Sequence, residues 1–102
     1  MSDTDQIVLD EAKESAFILD KAYRRAIRNG DIDAVMELKP KVEEAYNEYS
    51  SARLKLLEEG VITTDEDVKE MRLIRAEIDE AADTQQLIAA AMKLISKLKV
   101  FI

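Results

Sequence analysis

The chain contains no cysteine, histidine or tryptophan, and its 102 residues include only two glycines and one proline. Without cysteine it forms no disulfide and offers no thiol nucleophile. Without histidine it lacks a common zinc ligand and the base of Ser-His-Asp and Cys-His catalytic sites. A β-rich fold needs many turns, and glycine and proline are the residues that most often form them, so the low content of both disfavours such a fold. We therefore expect an all-α protein that is not an enzyme and has no metal or cofactor.

The composition is typical of a folded domain. Apolar residues make up 47% of the chain and charged residues 36%. This composition and length predict a single soluble domain that spans residues 1–102. The longest unbroken apolar run, Leu87 to Met92, is far shorter than the roughly 20 residues of a membrane-spanning helix. The acidic N-terminal segment also lacks the basic start and apolar stretch of a secretory signal. We expect a cytoplasmic protein.

Apolar residues recur at steps of three and four along most of the chain, which is the spacing of one helical face. With turns at Gly30 and Gly60, this pattern predicts helix 1 over about residues 4–29, helix 2 over about 31–59 and helix 3 over about 64–101. The repeat keeps a seven-residue period, which indicates coiled-coil-like packing. The predicted fold is therefore an antiparallel up-down-up bundle of three long helices.

Two positions leave an alternative open. Pro40 lacks a backbone N–H and favours a kink in helix 2. Asp83 and Gln86 have the spacing of a capping box, which would begin a fourth helix, just as Thr63 and Glu66 are predicted to cap helix 3. The apolar repeat does not slip across Asp83, which favours one continuous helix. The alternative is a four-helix bundle with breaks near Pro40 or Asp83.

The predicted helix 3 is longer than the helix it should pack against. At 1.5 Å per residue it measures about 57 Å, against about 42 Å for helix 2, so its last ten residues should project beyond the bundle. Burying one large apolar side chain contributes about 1.5 to 3 kcal/mol, which favours covering this projection with a second copy of the chain. The candidate interface residues are those of the projection and of a wide apolar band on helix 1: Phe17, Ile18, Leu94, Ile95, Leu98, Phe101 and Ile102.

The charges lie in blocks, although the net charge is −7. In an up-down-up bundle the ends of helices 1 and 3 share one pole, where the basic residues should gather. Basic residues at helix C-termini complement the helix dipole, an interpretation that needs no ligand. The alternative is a site for phosphate, an acidic protein or anionic lipid headgroups. The candidate anion-binding residues are Arg24, Arg25, Arg28, Lys93, Lys97 and Lys99.

These features predict a non-enzymatic helical protein–protein interaction module that self-associates, as a homodimer, through the apolar C-terminal end of helix 3. Another helical protein or an acidic protein is the alternative partner. A peripheral binder of anionic membrane surfaces is the alternative function, which the short tail and acidic body disfavour. A small all-helical enzyme acting on an anionic substrate would need a pocket at the basic pole. Nucleic acid is not an expected partner, because contacts to its phosphates supply most of the affinity of DNA-binding proteins and this chain has a net negative charge.

Overall fold

The chain folds into four α-helices in the computed structural model, which describes residues 2–60 and 63–102. α1 spans Asp3–Arg28, α2 spans Ile32–Glu59, α3 spans Asp65–Glu80 and α4 spans Thr84–Val100. The prediction of an all-α bundle is confirmed. No helix in the described part of the chain is long and apolar enough to cross a bilayer.

The three-helix version of the predicted bundle is wrong, because the predicted helix 3 is two helices, α3 and α4. The four-helix alternative with a break near Asp83 is the correct version. A break near Pro40 is not found, since α2 continues through this residue as one helix. The predicted ends of helices 1 and 2 agree with α1 and α2 to within about one residue.

Side-chain caps define where the helices begin. Ser2 and Asp5 form a capping box at the start of α1, and Asp31 accepts a hydrogen bond from the backbone N–H of Ala34 at the start of α2. The box of α3 is formed by Thr64 and Asp67, one residue later than the Thr63–Glu66 pair predicted from the sequence. Each cap accepts a hydrogen bond from an N–H that the helix itself leaves unpaired.

The break between α3 and α4 is stabilised by two hydrogen bonds. The Asp83 carboxylate accepts one from the backbone N–H of Gln86 at 2.8 Å, and the Gln86 side-chain oxygen accepts one from the backbone N–H of Ala82 at 3.0 Å. Ala81 leaves the helical conformation, with φ −58° and ψ 126°. The chain thus reverses without a glycine or proline, because these side chains satisfy backbone groups that the break exposes.

The helices are arranged as two antiparallel hairpins, α1 with α2 and α3 with α4. α3 runs beside α1 in the same direction, as shown by the hydrogen bond from the Thr63 hydroxyl to Asp5 and the 2.9 Å contact between Arg75 Nη1 and Glu11 Oε2. α4 runs back along α3, which places Lys97 2.6 Å from Asp67. The start of α1, the start of α3 and the end of α4 therefore lie at one end of the bundle.

The interior holds one apolar cluster to which all four helices contribute. The apolar repeat predicts a set of inward-facing positions in helix 3: Met71, Ile74, Ile78, Ala81, Gln85, Ile88, Met92 and Ile95. In α3 the prediction is confirmed, because Met71, Ile74 and Ile78 are buried. In α4 the prediction is confirmed for Ile95, which is buried, but it is wrong for Gln85 and Met92, which are exposed. After the reversal, the buried residues of α4 are Leu87, Ala90, Ala91, Leu94, Ile95 and Leu98.

Asp5 is a buried carboxylate at the junction between α1 and α3. It accepts hydrogen bonds from the Thr63 hydroxyl and from the backbone N–H of Ser2. Burial alone would raise the pKa of this carboxyl, but the hydrogen bonds from Thr63 and Ser2 outweigh it, and the pKa lies below its ordinary value. Ionised Asp5 therefore stabilises the fold.

We expect an Asp5→Asn variant to lose part of the acid sensitivity of the protein. The pKa of the carboxyl is about 3.9 in an unfolded chain and lower in the fold, so its contribution is present above about pH 4 and is lost as the pH falls through the folded-state pKa. Urea unfolding between pH 6 and pH 2.5 measures this. Asp79→Asn, which removes an exposed carboxylate, controls for the change of net charge. Equal pH slopes for Asp5→Asn and wild type would contradict the prediction.

Candidate interaction face

The C-terminal residues predicted to bind a second copy lie inside the chain's own bundle. α4 turns back along α3, so residues that would project from one long helix cover the core instead. The predicted overhang is therefore wrong. Four of its residues are at most 4% exposed, namely Leu94, Ile95, Leu98 and Phe101, whereas Ile102 is half exposed.

The basic residues predicted to share one pole are separated by the same reversal. Arg24, Arg25 and Arg28 lie in the last turns of α1, whereas Lys97 lies beside Asp67, in the first turn of α3 at the other end of the bundle. A single basic pole is therefore not formed, because α4 runs in the direction opposite to the one predicted.

The three lysines of α4 each contact a carboxylate of the same chain. Lys97 Nζ lies 2.6 Å from Asp67 Oδ1 and 2.8 Å from Glu70 Oε2. The other two lysines form more exposed pairs, Lys93 with Glu77 at 2.9 Å and Lys99 with Glu44 at 3.4 Å. With its apolar side buried and its lysines paired, α4 does not provide the exposed basic tail that membrane binding was predicted to use.

An open cavity of about 380 Å³ lies where α1 ends, α2 begins and α3 turns into α4. Two cations and three carboxylates line it: Lys21, Arg25, Asp31, Asp79 and Asp83. An anion entering it would meet more negative than positive charge. Among the described residues there is also no group of three or more carboxylates arranged to hold a metal ion. The anion pocket that the enzyme alternative requires is not assembled here.

Large apolar side chains remain exposed on the face that α1 and α2 present to solvent. At 3.6 residues per turn, those of α2 fall within an arc of roughly 80° about the helix axis, and so do Phe17 and Ile27 of α1. Ile7 is also exposed on α1 but lies roughly 80° to the other side of Phe17, so it is not part of this surface. All residues of the surface except the half-buried Tyr46 are between 40% and 70% exposed. We call this surface the Phe17 face, and it comprises Phe17, Ile27, Ile32, Met36, Tyr46, Leu54 and Leu57.

Phe17 is held in place at the centre of this face. Its ring meets the Tyr46 ring edge-on, with centroids 6.2 Å apart, and Lys13 Nζ lies 5.7 Å from its centroid. The Tyr46 hydroxyl donates a 2.9 Å hydrogen bond to Asp20, which also contacts Arg24 Nε at 3.3 Å. Contacts of this kind order an exposed aromatic ring before a partner arrives.

The Tyr46 hydroxyl has a structural role in this chain of contacts. Burial, the hydrogen bond to Asp20 and the charge of Asp20 raise the pKa of Tyr46 to about 12. The hydroxyl therefore stays protonated near neutral pH and continues to donate to Asp20. A general acid or base works best with a pKa near the working pH, so this raised pKa does not favour a catalytic role.

The opposite side of the bundle offers a groove of about 530 Å³ between α3 and α4, which both apolar and charged side chains line. Leu73 and Val100 are exposed there. Ion pairs from Lys93 and Lys97 to carboxylates of α3 cross this groove. A partner would have to displace or desolvate these charges, so the Phe17 face is the better apolar docking surface.

Comparison with protein-family models, curated protein sequences and solved structures gave no significant match.

Sequence reasoning identified the centre of this face but not its extent. Phe17 was a predicted interface residue and lies at its centre, whereas Ile18 is half buried and packs against the core. Met36, Leu54 and Leu57 were missed. Their signal was present in the sequence, because each is an apolar residue of helix 2 that falls outside the inward-facing positions predicted by the apolar repeat. Those positions are Val35, Leu38, Val42, Ala45, Tyr49, Ala52 and Leu56.

Proposed function

We propose that the chain is a non-enzymatic helical interaction module that self-associates, as a dimer, through the Phe17 face. The observation that carries this proposal is the number of large apolar side chains left exposed on that one face of a small bundle. Exposed apolar patches of this kind are typical of protein interaction sites. A face built from two adjacent helices fits a partner that presents helices of its own.

The energetics favour a weak dimer. The face residues are already about half covered in the single chain, so pairing two copies recovers only part of the roughly 1.5 to 3 kcal/mol per buried side chain. Association itself costs about 4 to 15 kcal/mol in lost freedom of motion. We therefore expect a dissociation constant of about 1 to 100 µM, with ordered Phe17 and Tyr46 contributing most.

We expect Phe17→Asp to weaken self-association at least about tenfold, because it places a charge at the centre of an apolar interface. Sedimentation velocity across a range of concentrations measures the monomer and dimer fractions. Phe17 is partly exposed, so the bundle should remain folded, which circular dichroism checks.

Leu73→Asp is the matched control, since it makes the same change at an exposed apolar residue on the opposite side of the bundle. It should associate like wild type. A wild-type chain that stays monomeric at every concentration, or equal weakening by the two variants, would refute the proposal.

A further inference from the structure

We infer that the partner is a second copy of this chain in one antiparallel register, with Phe17 and Tyr46 lying on the two-fold axis. This inference rests on the proposed function, because it requires the Phe17 face to be the dimer interface. Two independent patterns on that face support it. One is the charge order along α1, and the other is the placement of apolar residues along α2.

The charge on the solvent-facing side of α1 changes from negative to positive at Phe17. Asp10 lies seven residues before Phe17 and Arg24 lies seven residues after it, which is about two helical turns in each direction. Both are exposed. In an antiparallel pair centred on Phe17, Asp10 of each copy therefore lies opposite Arg24 of the other.

A parallel pairing of two α1 helices would place Asp10 against Asp10 and Arg24 against Arg24, and both contacts would be repulsive. Nearer the centre, each side of Phe17 along α1 carries one negative and one positive residue. These are Lys13 and Glu14 before Phe17, and Asp20 and Lys21 after it. These inner residues favour neither direction. The choice of the antiparallel pairing therefore rests on Asp10 and Arg24, a use of charge that is typical of helix pairing.

Arg24 can reach a partner without leaving its present contact. Its Nε lies 3.3 Å from Asp20, and 68% of its side chain is exposed. A guanidinium has five N–H donors, so the outer ones remain able to bind a second carboxylate. Asp10 accepts one hydrogen bond, from the Gln6 side chain at 2.9 Å, and retains acceptor capacity.

The apolar residues of α2 agree with the same register. Tyr46 lies level with Phe17, since their ring centroids are 6.2 Å apart. Met36 lies ten residues before Tyr46 and Leu57 lies eleven after it, or about 15 and 16 Å along the helix. The antiparallel pairing that places Asp10 of one copy opposite Arg24 of the other therefore also places Met36 of one copy against Leu57 of the other.

The size of the molecule is compatible with this dimer. The bundle measures 43 Å by 22 Å by 17 Å, so one long side offers roughly 700 to 900 Å², close to the 800 Å² per partner of a standard interface. The pairing uses the full length of α1 and α2. It leaves the groove between α3 and α4 on the outside of the dimer.

An exchange of charges between two variants tests the register. Asp10→Arg places arginine at both positions of one chain, and Arg24→Asp places aspartate at both positions of the other. Each variant alone should dimerise at least about tenfold more weakly than wild type at low salt, because its two symmetric contacts become repulsive. An equimolar mixture should recover the wild-type affinity as a heterodimer, since an arginine of one chain then faces an aspartate of the other at both contacts.

Native mass spectrometry distinguishes the heterodimer from both homodimers by mass, and sedimentation velocity measures the affinities. Glu80→Arg, an equal change of charge at an exposed residue of α3, should dimerise like wild type. If wild type dimerises and Phe17→Asp disrupts it but the mixture does not recover, the register is wrong and the proposed function stands. If wild type does not dimerise at all, both are wrong.

Discussion

A chain that ends at Met92 is expected to be unfolded at 25 °C. The ten residues removed include four that are at most 4% exposed in the bundle: Leu94, Ile95, Leu98 and Phe101. At about 1.5 to 3 kcal/mol per buried side chain, their loss removes about 6 to 12 kcal/mol. That is comparable to the whole free energy of unfolding of a small domain, about 5 to 15 kcal/mol. Urea titration followed by circular dichroism should show no cooperative transition.

The matched control is a chain that lacks only Ile102, which is half exposed and should unfold cooperatively like wild type. Two substitutions test the same contacts without shortening the chain. Leu98→Ala should lower the free energy of unfolding by about 2 to 5 kcal/mol, and Val100→Ala, at an exposed site, by less than about 0.5 kcal/mol. A cooperatively folded chain ending at Met92 would mean that α4 does not cover the core.

The sequence predicted α1 and α2 well because their boundaries carry local chemistry. Gly30 and Gly60 adopt left-handed φ angles of 66° and 61° at the helix ends, a conformation that glycine reaches without steric cost. Asp31 then caps α2. Signals of this kind depend on one or two residues and their neighbours, so they can be recognised before the fold is known.

The reversal after Glu80 was predicted only as the alternative, because two signals conflicted. The apolar repeat continues in step past Asp83, which favours one helix, while Asp83 and Gln86 favour a new start. The apolar repeat does not show which side chains a straight helix would leave exposed to solvent, since burial depends on the whole fold. Folding α4 back buries four large side chains at the cost of one short turn, and that gain decides the outcome.

The candidate interface predicted from the sequence at the C-terminal end of helix 3 differs from the one proposed from the structure, the Phe17 face, because burial depends on the whole fold. The apolar residues at the C-terminus fill the core of the bundle: Leu94, Ile95, Leu98 and Phe101. A sequence alone does not distinguish apolar residues that fill a core from apolar residues on a surface that binds a partner. The charge order along α1, in contrast, was visible in the sequence as an acidic block followed by a basic one. The seven-residue spacing of Asp10 and Arg24 from Phe17 was visible there too, but only the structure shows that this side of α1 is exposed.

Lys97 is expected to be the lysine on which the α3–α4 hairpin depends most. Its side chain is 11% exposed and contacts Asp67, which is 16% exposed. Burial alone would lower the pKa of Lys97, but its hydrogen bonds to Asp67 and Glu70 outweigh this, and the pKa lies above its ordinary value. Asp67 also caps α3 through the backbone N–H of Thr64, so one contact joins the end of α4 to the start of α3.

Lys97→Met keeps most of the apolar stem and removes the charge. We expect it to lower the free energy of unfolding by about 3 kcal/mol, because it leaves the largely covered Asp67 carboxylate without its cation. Lys93→Met is the matched control: Lys93 also lies on α4 and contacts a carboxylate of α3 at 2.9 Å, but the two side chains are 60% and 40% exposed. An exposed pair contributes about 0 to 1 kcal/mol. Urea titrations that give equal losses for the two variants would show that burial of the Lys97–Asp67 pair does not set its contribution.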